Sequence, residues 1–434
     1  MNFFKKNLIL LITALIFIYL IVELTCYLLL NYSEKFQYTF PYFNQQISPY
    51  YVFENAPGFK YKNCIKSSPN EPDVVIDQYG FISEAKIEKQ KDTNAIRIFI
   101  TGGSGAFGCG QIKQYYGKIK SFPLGLYSYE SSIAGLLQKK LKKVFPSKNI
   151  EVVNACAVKR MLHQSVAYYL ETISDFNPDF VISIDGNNDI APICGFSPYL
   201  KGSIALSSYI ELYEITKQNQ NKSFFNIINL INKLKINNLK TKEKNQNKNN
   251  KGFLIDPYAS SKYNDYIFHK EKFIRGSEKF LNLIKYYHSL CETDNVKFIF
   301  CLQPLLYRQK FNKKLSLSEN TMQNNFYIPN SKTQTANKIL SSKQVELIKK
   351  DANLILKYFI DDYLSDKINQ ISIEDGFSYI DMNKELMSVP SNIDVFVDYC
   401  HLTPDGNEIV AEILLKKINT ILNTSKNNNS KIAK

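Results

Sequence analysis

Residues that cooperate in nucleophilic catalysis occur in two short motifs far apart in the chain. Ser104 lies within the glycine-rich stretch TGGSGAFG, and Asp398 and His401 lie three residues apart within DYCHLTPDG. A serine hydroxyl is a weak nucleophile until a general base removes its proton, and that base needs a partner that orients it. The Thr-Pro pair after His401 favours the start of a helix, so Asp398 and His401 would share the exposed loop before it. These three residues could therefore serve as nucleophile, base and orienting acid.

Two other motifs carry asparagine side chains directly after predicted strands. NACAVK spans residues 154–159, and GNND spans residues 186–189. An asparagine amide at a strand end can donate a hydrogen bond where negative charge develops during a reaction. Either motif could also be an ordinary turn in which the asparagine bonds to its own backbone. The motifs become informative together, because all four belong to one repeating pattern of strands and helices.

From residue 95 onward, short apolar runs alternate with longer segments of helical periodicity. We predict strands at 95–101, 150–155, 179–185, 296–303 and 377–382, and helices at 131–145, 163–176, 279–290, 344–364 and 404–418. This alternation favours an α/β fold, with a parallel sheet covered by helices on both faces. Ligands of such folds bind at the carboxyl ends of the strands, which is where the Ser104 and GNND motifs lie.

The glycine-rich motif also fits a dinucleotide-binding pattern. Gly103, Gly105 and Gly108 match GxGxxG directly after a strand. A dinucleotide site further requires an acidic residue about 20 positions on, at the end of the second strand. The second strand ends near Ala155, much later and without an acid, so we expect no nicotinamide cofactor. The eight cysteines form no CxxC pair, and without paired Cys/His spacing we expect no metal site.

The net charge of +14 is concentrated in segments of low complexity. Residues 217–251 hold nine lysines and one acid, and the last nineteen residues hold five lysines and no acid. The rest of the chain is close to neutral, and it has no basic stripe interleaved with aromatic residues of the kind that nucleic-acid binders use. We therefore expect no nucleic-acid partner.

Residues 7–30 are a predicted membrane anchor. This apolar run contains one charged residue, Glu23, and about 20 apolar residues in a helix suffice to cross the hydrocarbon core. Two lysines precede the run, so the positive-inside rule places residues 1–6 in the cytoplasm and the bulk of the chain outside, in the periplasm or at the cell surface. The run is long and no small-residue cleavage motif comes after it, which favours an uncleaved signal anchor over a cleaved signal peptide. Glu23 could face a partner helix or lie near the outer interface.

The remaining chain divides into four parts. Residues 31–90 are aromatic without clear periodicity and are predicted to be a juxtamembrane segment that packs on the α/β domain. That domain comprises residues 91–420, interrupted by the Lys/Asn-rich insertion 217–251, which we expect to be polar and solvated. Residues 421–434 are a predicted disordered polar tail.

The motifs GGSGAFG, NACAVKRMLHQS, GNND and DYCHLTPDGNEIVAEI resemble those of the SGNH (GDSL-type) esterase/acylhydrolase family. The resemblance covers roughly residues 96–418 and is strongest to its membrane-anchored bacterial branch. It implies a three-layer α/β/α fold with a flavodoxin-like sheet. It also implies Ser104 as nucleophile, His401 as general base and Asp398 as its partner. The oxyanion hole implied by the resemblance comprises the backbone amides of Ser104 and Lys159 and the side chain of Asn188.

The chain departs from the family pattern at two positions. Gly103 stands where the family has the aspartate of its GDS motif, and Lys159 stands where the family has a glycine that donates its amide. The aspartate is not a member of the triad, so its loss would change the level of activity more than the kind of reaction. A backbone amide survives any residue except proline, but the Lys159 side chain could narrow or charge the pocket.

Three functions fit this sequence. The leading hypothesis is a membrane-anchored extracytoplasmic serine esterase, acting on O-acyl groups of a surface glycan or a lipid and needing no cofactor. The second is an O-acyltransferase that uses the same triad on an exopolysaccharide hydroxyl. The third is a catalytically silent domain that binds glycan or scaffolds an envelope complex, which Gly103 and Lys159 favour and the retained triad opposes.

Overall fold

The computed structural model describes residues 2–32, 45–48, 50, 52–61, 64–111, 125–189, 225–231, 234, 270–306, 308, 313–327 and 363–432. Its strands are β1 (Gln45–Ser48), β2 (Val52–Asn55), β3 (Ala95–Gly102), β4 (Cys109–Gly110), β5 (Gly125–Leu126), β6 (Asn149–Asn154), β7 (Phe180–Asp185), β8 (Lys297–Leu302) and β9 (Ser378–Asp381). Its helices are α1 (Asn2–Tyr32), α2 (Ser104–Phe107), α3 (Ile133–Val144), α4 (Leu162–Glu171), α5 (Lys270–Thr293), α6 (Leu317–Tyr327), α7 (Ser365–Asp375), α8 (Met382–Leu386) and α9 (Pro404–Ile432). A short 3-10 helix, Ile173–Phe176, comes after α4.

Five strands form the central sheet in the order β6-β3-β7-β8-β9, and every pairing between them is parallel. This is the flavodoxin-like order, in which the chain reverses direction across the sheet between the first and third strands. The strands are buried and rich in β-branched and aromatic residues, as expected when both faces of a parallel sheet are covered. The predicted α/β class, with helices on both faces of a parallel sheet, is confirmed.

Helices cover both faces of this sheet. On one face, α3 and α9 pack against each other, and Leu137 and Leu414 belong to the same buried cluster as Ile98 of β3. On the other face, α4, α5 and α7 form a second cluster, which includes Phe99 of β3 and Tyr287 of α5. Successive strand residues thus enter opposite layers, as the two-residue period of a strand requires.

The segment before the sheet packs against it. β1 and β2 form an antiparallel hairpin, and Ile82 pairs with Asn154 at the open edge of β6. Asn55 donates from Nδ2 to the carbonyl oxygen of Cys156 at 2.8 Å, and Gln45 donates from Nε2 to that of Val158 at 2.9 Å. Both carbonyls belong to the loop after β6, so this segment fixes a loop at the carboxyl end of the sheet.

At the N-terminus, Leu10–Leu30 of α1 is long and apolar enough to cross a membrane. Most of its side chains are exposed, including Leu10 at 71% and Phe17 at 65%. An exposed apolar surface of this length would be costly in water. The helix is thus suited to lipid contact by its length and composition.

The structure differs from the sequence-based expectations in two segments. The sequence predicts a disordered tail from residue 421, but α9 continues to Ile432 and Leu422 packs against the core. After Gly406 the chain has no glycine or proline that would end the helix. Within the insertion that the sequence predicts to be solvated, residues 225–231 contact α1. Most of the helix predicted at 344–364 lies outside the described residues.

A buried ion pair ties the carboxyl end of β9 to the loop after β8. Asp381 forms two hydrogen bonds with the Arg308 guanidinium, and both side chains are buried. Asp381 also accepts from Ser365 Oγ at 2.6 Å and from the backbone N–H of Asn383 at 3.1 Å, which caps α8. Removing one partner of such a pair leaves a charge buried without its counter-charge.

We expect Asp381→Ala to lower the free energy of unfolding by about 3–5 kcal/mol, since the buried Arg308 guanidinium loses its carboxylate. The measurement is urea unfolding of the full-length protein in mild detergent, monitored by circular dichroism. Lys86→Ala, which breaks the exposed Lys86–Glu88 pair, is the control and should leave the midpoint unchanged. An Asp381→Ala protein as stable as its parent would contradict the prediction.

Candidate active site

Ser104 lies at a sharp turn between β3 and α2. Gly102 ends β3 with a φ of +148°, and a Cβ there would lie 2.3 Å from the carbonyl oxygen of Ile184 in the neighbouring strand. Only glycine allows the backbone to approach this closely. Ser104 then begins a short helix directly after the carboxyl end of β3, so its hydroxyl is presented at the sheet edge where ligands bind.

Asp398 and His401 lie on a tight loop that directly precedes α9. Phe396 and Leu402 pair as an antiparallel bridge across the base of this loop. Thr403 Oγ1 accepts the backbone N–H of Gly406 at 2.9 Å, which caps the helix as its sequence predicts. The closed base and the capped helix hold the loop against the rest of the domain.

The structure brings the three residues of the predicted triad into one hydrogen-bonded chain. Ser104 Oγ lies 2.8 Å from His401 Nε2, and His401 Nδ1 lies 2.7 Å from Asp398 Oδ2. The other carboxylate oxygen, Asp398 Oδ1, accepts the backbone N–H groups of Cys400 at 2.9 Å and of His401 at 2.8 Å. The loop's own backbone therefore fixes the Asp398 carboxylate, and the carboxylate in turn orients the His401 imidazole.

The pairing of Asp398 with His401 shifts the pKa of both groups. Burial by itself would lower the pKa of the His401 imidazole, but the Asp398 charge and hydrogen bond outweigh it, and the pKa is raised well above 6.5. Burial would likewise raise the pKa of Asp398, but the His401 charge and the hydrogen bonds from the loop hold it below its ordinary value. The pair thus favours a carboxylate next to a strongly basic imidazole.

Lys159 occupies a left-handed backbone position. The loop after β6 turns from Ala157 to Arg160, whose N–H donates to the Ala157 carbonyl oxygen at 3.2 Å, and Lys159 has a φ of +62°. Positive φ at the third residue of a turn favours glycine or asparagine. Lys159 therefore holds a conformation that glycine adopts more easily, at a strain cost of roughly 1–3 kcal/mol.

Asn188 links the loops after β7 and β6. Its Nδ2 donates to the carbonyl oxygen of Arg160 at 2.8 Å. The same Nδ2 atom lies 2.4 Å from where a Cβ of residue 103 would be. The backbone of Gly103 has a φ of −83°, which any residue can adopt, so the Asn188 amide and not backbone conformation restricts this position to glycine. The loops after β6 and β7 thus meet at Gly103, directly before Ser104.

The sequence alone assigns no definite role to two features of the site. Gln303, after β8, donates from Nε2 to the Cys400 carbonyl oxygen at 3.3 Å, and its Oε1 lies 3.4 Å from the backbone nitrogen of Asn187. It therefore links the GNND turn to the His401 loop. The only sequence signal was its position at a strand end, which many structural residues share.

The second such feature is a buried polar cluster beneath the loops. Burial raises the pKa of Asp185 to about 6, and burial together with the Asp185 charge raises that of Asp189 well above 3.8. The Arg160 guanidinium lies 4.2 Å from the Tyr168 ring centre and donates to the Ala155 carbonyl. Asp189 Oδ1 accepts the N–H that begins α4 at 3.2 Å. This cluster supports the loops that carry Lys159 and Asn188.

Among the described residues, Asp398, Cys400 and His401 are the group whose donor atoms are close enough for a metal ion. Both imidazole nitrogens are within hydrogen-bonding distance of oxygen atoms, Nδ1 of Asp398 and Nε2 of Ser104. The geometry of this group is accounted for by hydrogen bonds.

Comparison with known proteins gives no match to a family model and no match to a curated protein. Several solved structures are similar to this chain over most of their length. The acetyl xylan esterase AlAXEase is 13% identical with a TM-score of 0.35, covering 74% of this chain and 100% of its own. An acetyl xylan esterase variant from Geobacillus stearothermophilus is 12% identical with a TM-score of 0.33, covering 76% and 97%. LAE5, an alpha/beta hydrolase from the metagenome of Lake Arreo, is 9% identical with a TM-score of 0.34, covering 74% and 95%. Identities and TM-scores this low leave the function to be argued from the geometry of the site.

Proposed function

We propose that this protein is a serine esterase of the SGNH type, anchored in a membrane by α1. The observation that carries the proposal is the unbroken hydrogen-bond chain from Ser104 Oγ through His401 to Asp398. A nucleophile within reach of a base, and a base oriented by a third group, is the arrangement that activates a serine. Its completeness argues against a catalytically silent domain.

In the proposed reaction, Ser104 Oγ attacks the carbonyl carbon of an ester while His401 Nε2 takes the hydroxyl proton. The tetrahedral intermediate collapses, the imidazolium gives its proton to the leaving alcohol, and an acyl-enzyme remains on Ser104. Water then attacks the acyl carbon with His401 again as base, and the carboxylic acid is released. Asp398 holds the Nδ1 proton of the imidazole throughout and stabilises the positive charge that forms on the ring.

The oxyanion that forms in both steps needs hydrogen-bond donors fixed in place beforehand. We assign the backbone amides of Ser104 and Lys159 and the Nδ2 group of Asn188 to this role. Asn188 Nδ2 carries two hydrogens and its bond to Arg160 uses one, so the second is free to serve as donor. The left-handed turn at Lys159 supports the same assignment, because it reproduces the backbone conformation of the family's glycine.

We further propose that α1 is an uncleaved signal anchor and that the catalytic domain lies outside the cytoplasm. The two lysines before the apolar run support this orientation. The substrate we propose is an O-acylated glycan or lipid at the cell surface, with the acyl group passed to water. This choice is supported by the anchor and by the family resemblance of the motifs.

Loss of either proton-transfer partner should abolish turnover. We expect Ser104→Ala and His401→Ala each to reduce kcat for p-nitrophenyl acetate by roughly 100-fold or more, because the first removes the nucleophile and the second its base. The assay uses full-length protein in detergent. Ser147→Ala, just before β6, and His288→Ala, which packs on Phe298 near the start of β8, are matched controls at the opposite, amino-terminal edge of the sheet and should keep full activity. A folded Ser104→Ala protein that turns over like its parent would refute the esterase proposal.

The pH dependence should report the His401–Asp398 pair. Only the neutral imidazole accepts the serine proton, so activity is lost as pH falls through the pKa of His401, which is raised. We therefore expect the acid limb of kcat/KM to lie above pH 6.5 in the parent. Asp398→Asn removes the charge that raises this pKa and should move the limb to lower pH while reducing the rate. A limb that stays in place in Asp398→Asn would show that another group titrates.

The contact between Gly103 and Asn188 predicts coupling between the two positions. Asn188→Ala should lower kcat by about 10²–10³-fold if the amide stabilises the oxyanion. Gly103→Ala should also lower kcat with little change in KM, because its Cβ displaces the Asn188 amide. Adding Gly103→Ala to Asn188→Ala should then cost little more. Additive losses of kcat in the double variant would show that the two residues act independently. Gly103→Asp, which introduces the residue of the SGNH pattern, should lower kcat at least as much as Gly103→Ala.

A further inference from the structure

The membrane helix is hydrogen-bonded to the Lys/Asn-rich insertion. Glu23, the one charged residue of the apolar run, accepts the backbone N–H groups of Asn226 at 2.7 Å and of Ile227 at 3.2 Å. Tyr19 Oη lies 3.3 Å from the same carboxylate, and the Tyr19 and Phe225 rings meet edge to face with centroids 6.3 Å apart. We call residues 225–231 together with Leu234 the docked segment.

One face of α1 is less exposed than the others around Glu23. Cys26, one turn after Glu23, is 5% exposed, whereas Leu20 and Leu24 on other faces are 56% and 58% exposed. Val22 and Leu30 are also partly covered. These positions are spaced three, four and seven or eight apart, which places them along a single face of a helix. The covered positions therefore lie along one face of α1, which is the face on which Glu23 meets the docked segment.

The docked segment also carries a row of partly exposed apolar side chains. Its exposed residues are spaced three apart, and all are large and hydrophobic: Phe225 at 44%, Ile228 at 42%, Ile231 at 44% and Leu234 at 38% exposure. Such a row of apolar side chains would be unfavourable in water. This row lies beside α1, whose exposed surface is apolar and long enough to cross a membrane. We therefore expect lipid to contact both surfaces.

We propose that the docked segment is a membrane-interface element, and that lipid acyl chains cover the exposed parts of Ile228, Ile231 and Leu234. Its depth fits. Glu23 is seven residues before Leu30, which is about 10 Å along the helix from the end of the apolar span. Amphipathic helices at an interface bury their apolar face about 5–10 Å below the headgroups. In the sequence, Lys222 and Lys235 flank the segment and Lys233 lies within its span, and lysines close to a membrane are attracted to anionic headgroups.

The docking also accounts for an acidic residue within the apolar run. A carboxylate inside a bilayer is costly unless it has hydrogen-bond partners. The two backbone amides from the docked segment and the Tyr19 hydroxyl supply them. The inference requires α1 to cross a membrane but is independent of the esterase activity.

The absence of tryptophan from the chain permits a direct test. Full-length Ile228→Trp protein is reconstituted into phosphatidylethanolamine/phosphatidylglycerol vesicles that contain a phosphatidylcholine brominated near the carbonyl end or near the methyl end of its acyl chains. Quenching of the single tryptophan then reports contact with lipid at each depth. Leu15→Trp in α1 is the positive control. Ile373→Trp, at a 75% exposed position of α7, is the matched control outside the membrane.

We expect the tryptophan at 228 to be quenched several-fold more than that at 373, and more strongly by bromines near the carbonyl end than by those near the methyl end. Glu23→Leu in the Ile228→Trp background should weaken this quenching, because the docked segment loses its hydrogen-bonded partner. Quenching at 228 no greater than at 373, while the tryptophan at 15 is quenched, would overturn the proposal. An unquenched tryptophan at 15 would overturn it too, by removing the bilayer on which it depends. None of these outcomes depends on turnover, so they are distinguishable from failure of the esterase proposal.

Discussion

Parallel pairing of β6, β3 and β7 is the constraint on which the candidate site depends. Ile100 of β3 is in register with Asn154 of β6 on one side and Ile182 of β7 on the other. The chain therefore leaves all three strands at the same edge of the sheet, and the Ser104, Lys159 and Asn188 loops start within reach of one another. In an antiparallel arrangement, alternate loops would leave from opposite ends. The sheet positions the starts of these loops, and close contacts between the loops fix their relative positions.

The base and its carboxylate come from a different part of the chain and need separate supports. Gln303 holds the Cys400 carbonyl from the end of β8, and Tyr127 Oη donates to the Leu402 carbonyl at 3.0 Å. These contacts matter because the proposed reaction requires His401 to keep its hydrogen bond to Ser104. The same ion pairing that makes the imidazole a strong base also keeps it protonated to higher pH. The Asp398 carboxylate therefore sets both how strongly His401 accepts a proton and the pH above which the neutral imidazole is present.

Much of this arrangement could be predicted because it is local or periodic. Apolar runs of four to eight residues, alternating with helical segments, predicted the α/β class, and the observed strands begin and end within a residue or two of those predicted. A serine after one strand and an Asp–His pair before the last helix could be placed at one sheet edge by topology alone. Gln303 and the Asn188–Gly103 contact could not, because a glutamine or a glycine acquires such a role only from the groups that face it in space. The docked segment escaped prediction because lysine and asparagine dominate the composition around a short apolar stripe.

The segment from β1 to residue 90 has a consequence for how far the enzyme can reach. Gln45 and Asn55 hold the loop that carries Lys159, so the catalytic unit begins by residue 45 and not at the first strand of the central sheet. Twelve residues, 33–44, separate this unit from the end of α1. A chain of twelve residues spans at most about 45 Å. For the membrane-anchored esterase proposed above, this length is an upper limit on the distance between the end of α1 and the catalytic unit. Acyl esters farther from the membrane than this length plus one domain diameter would be out of reach, so its substrates would be met by diffusion along the membrane surface.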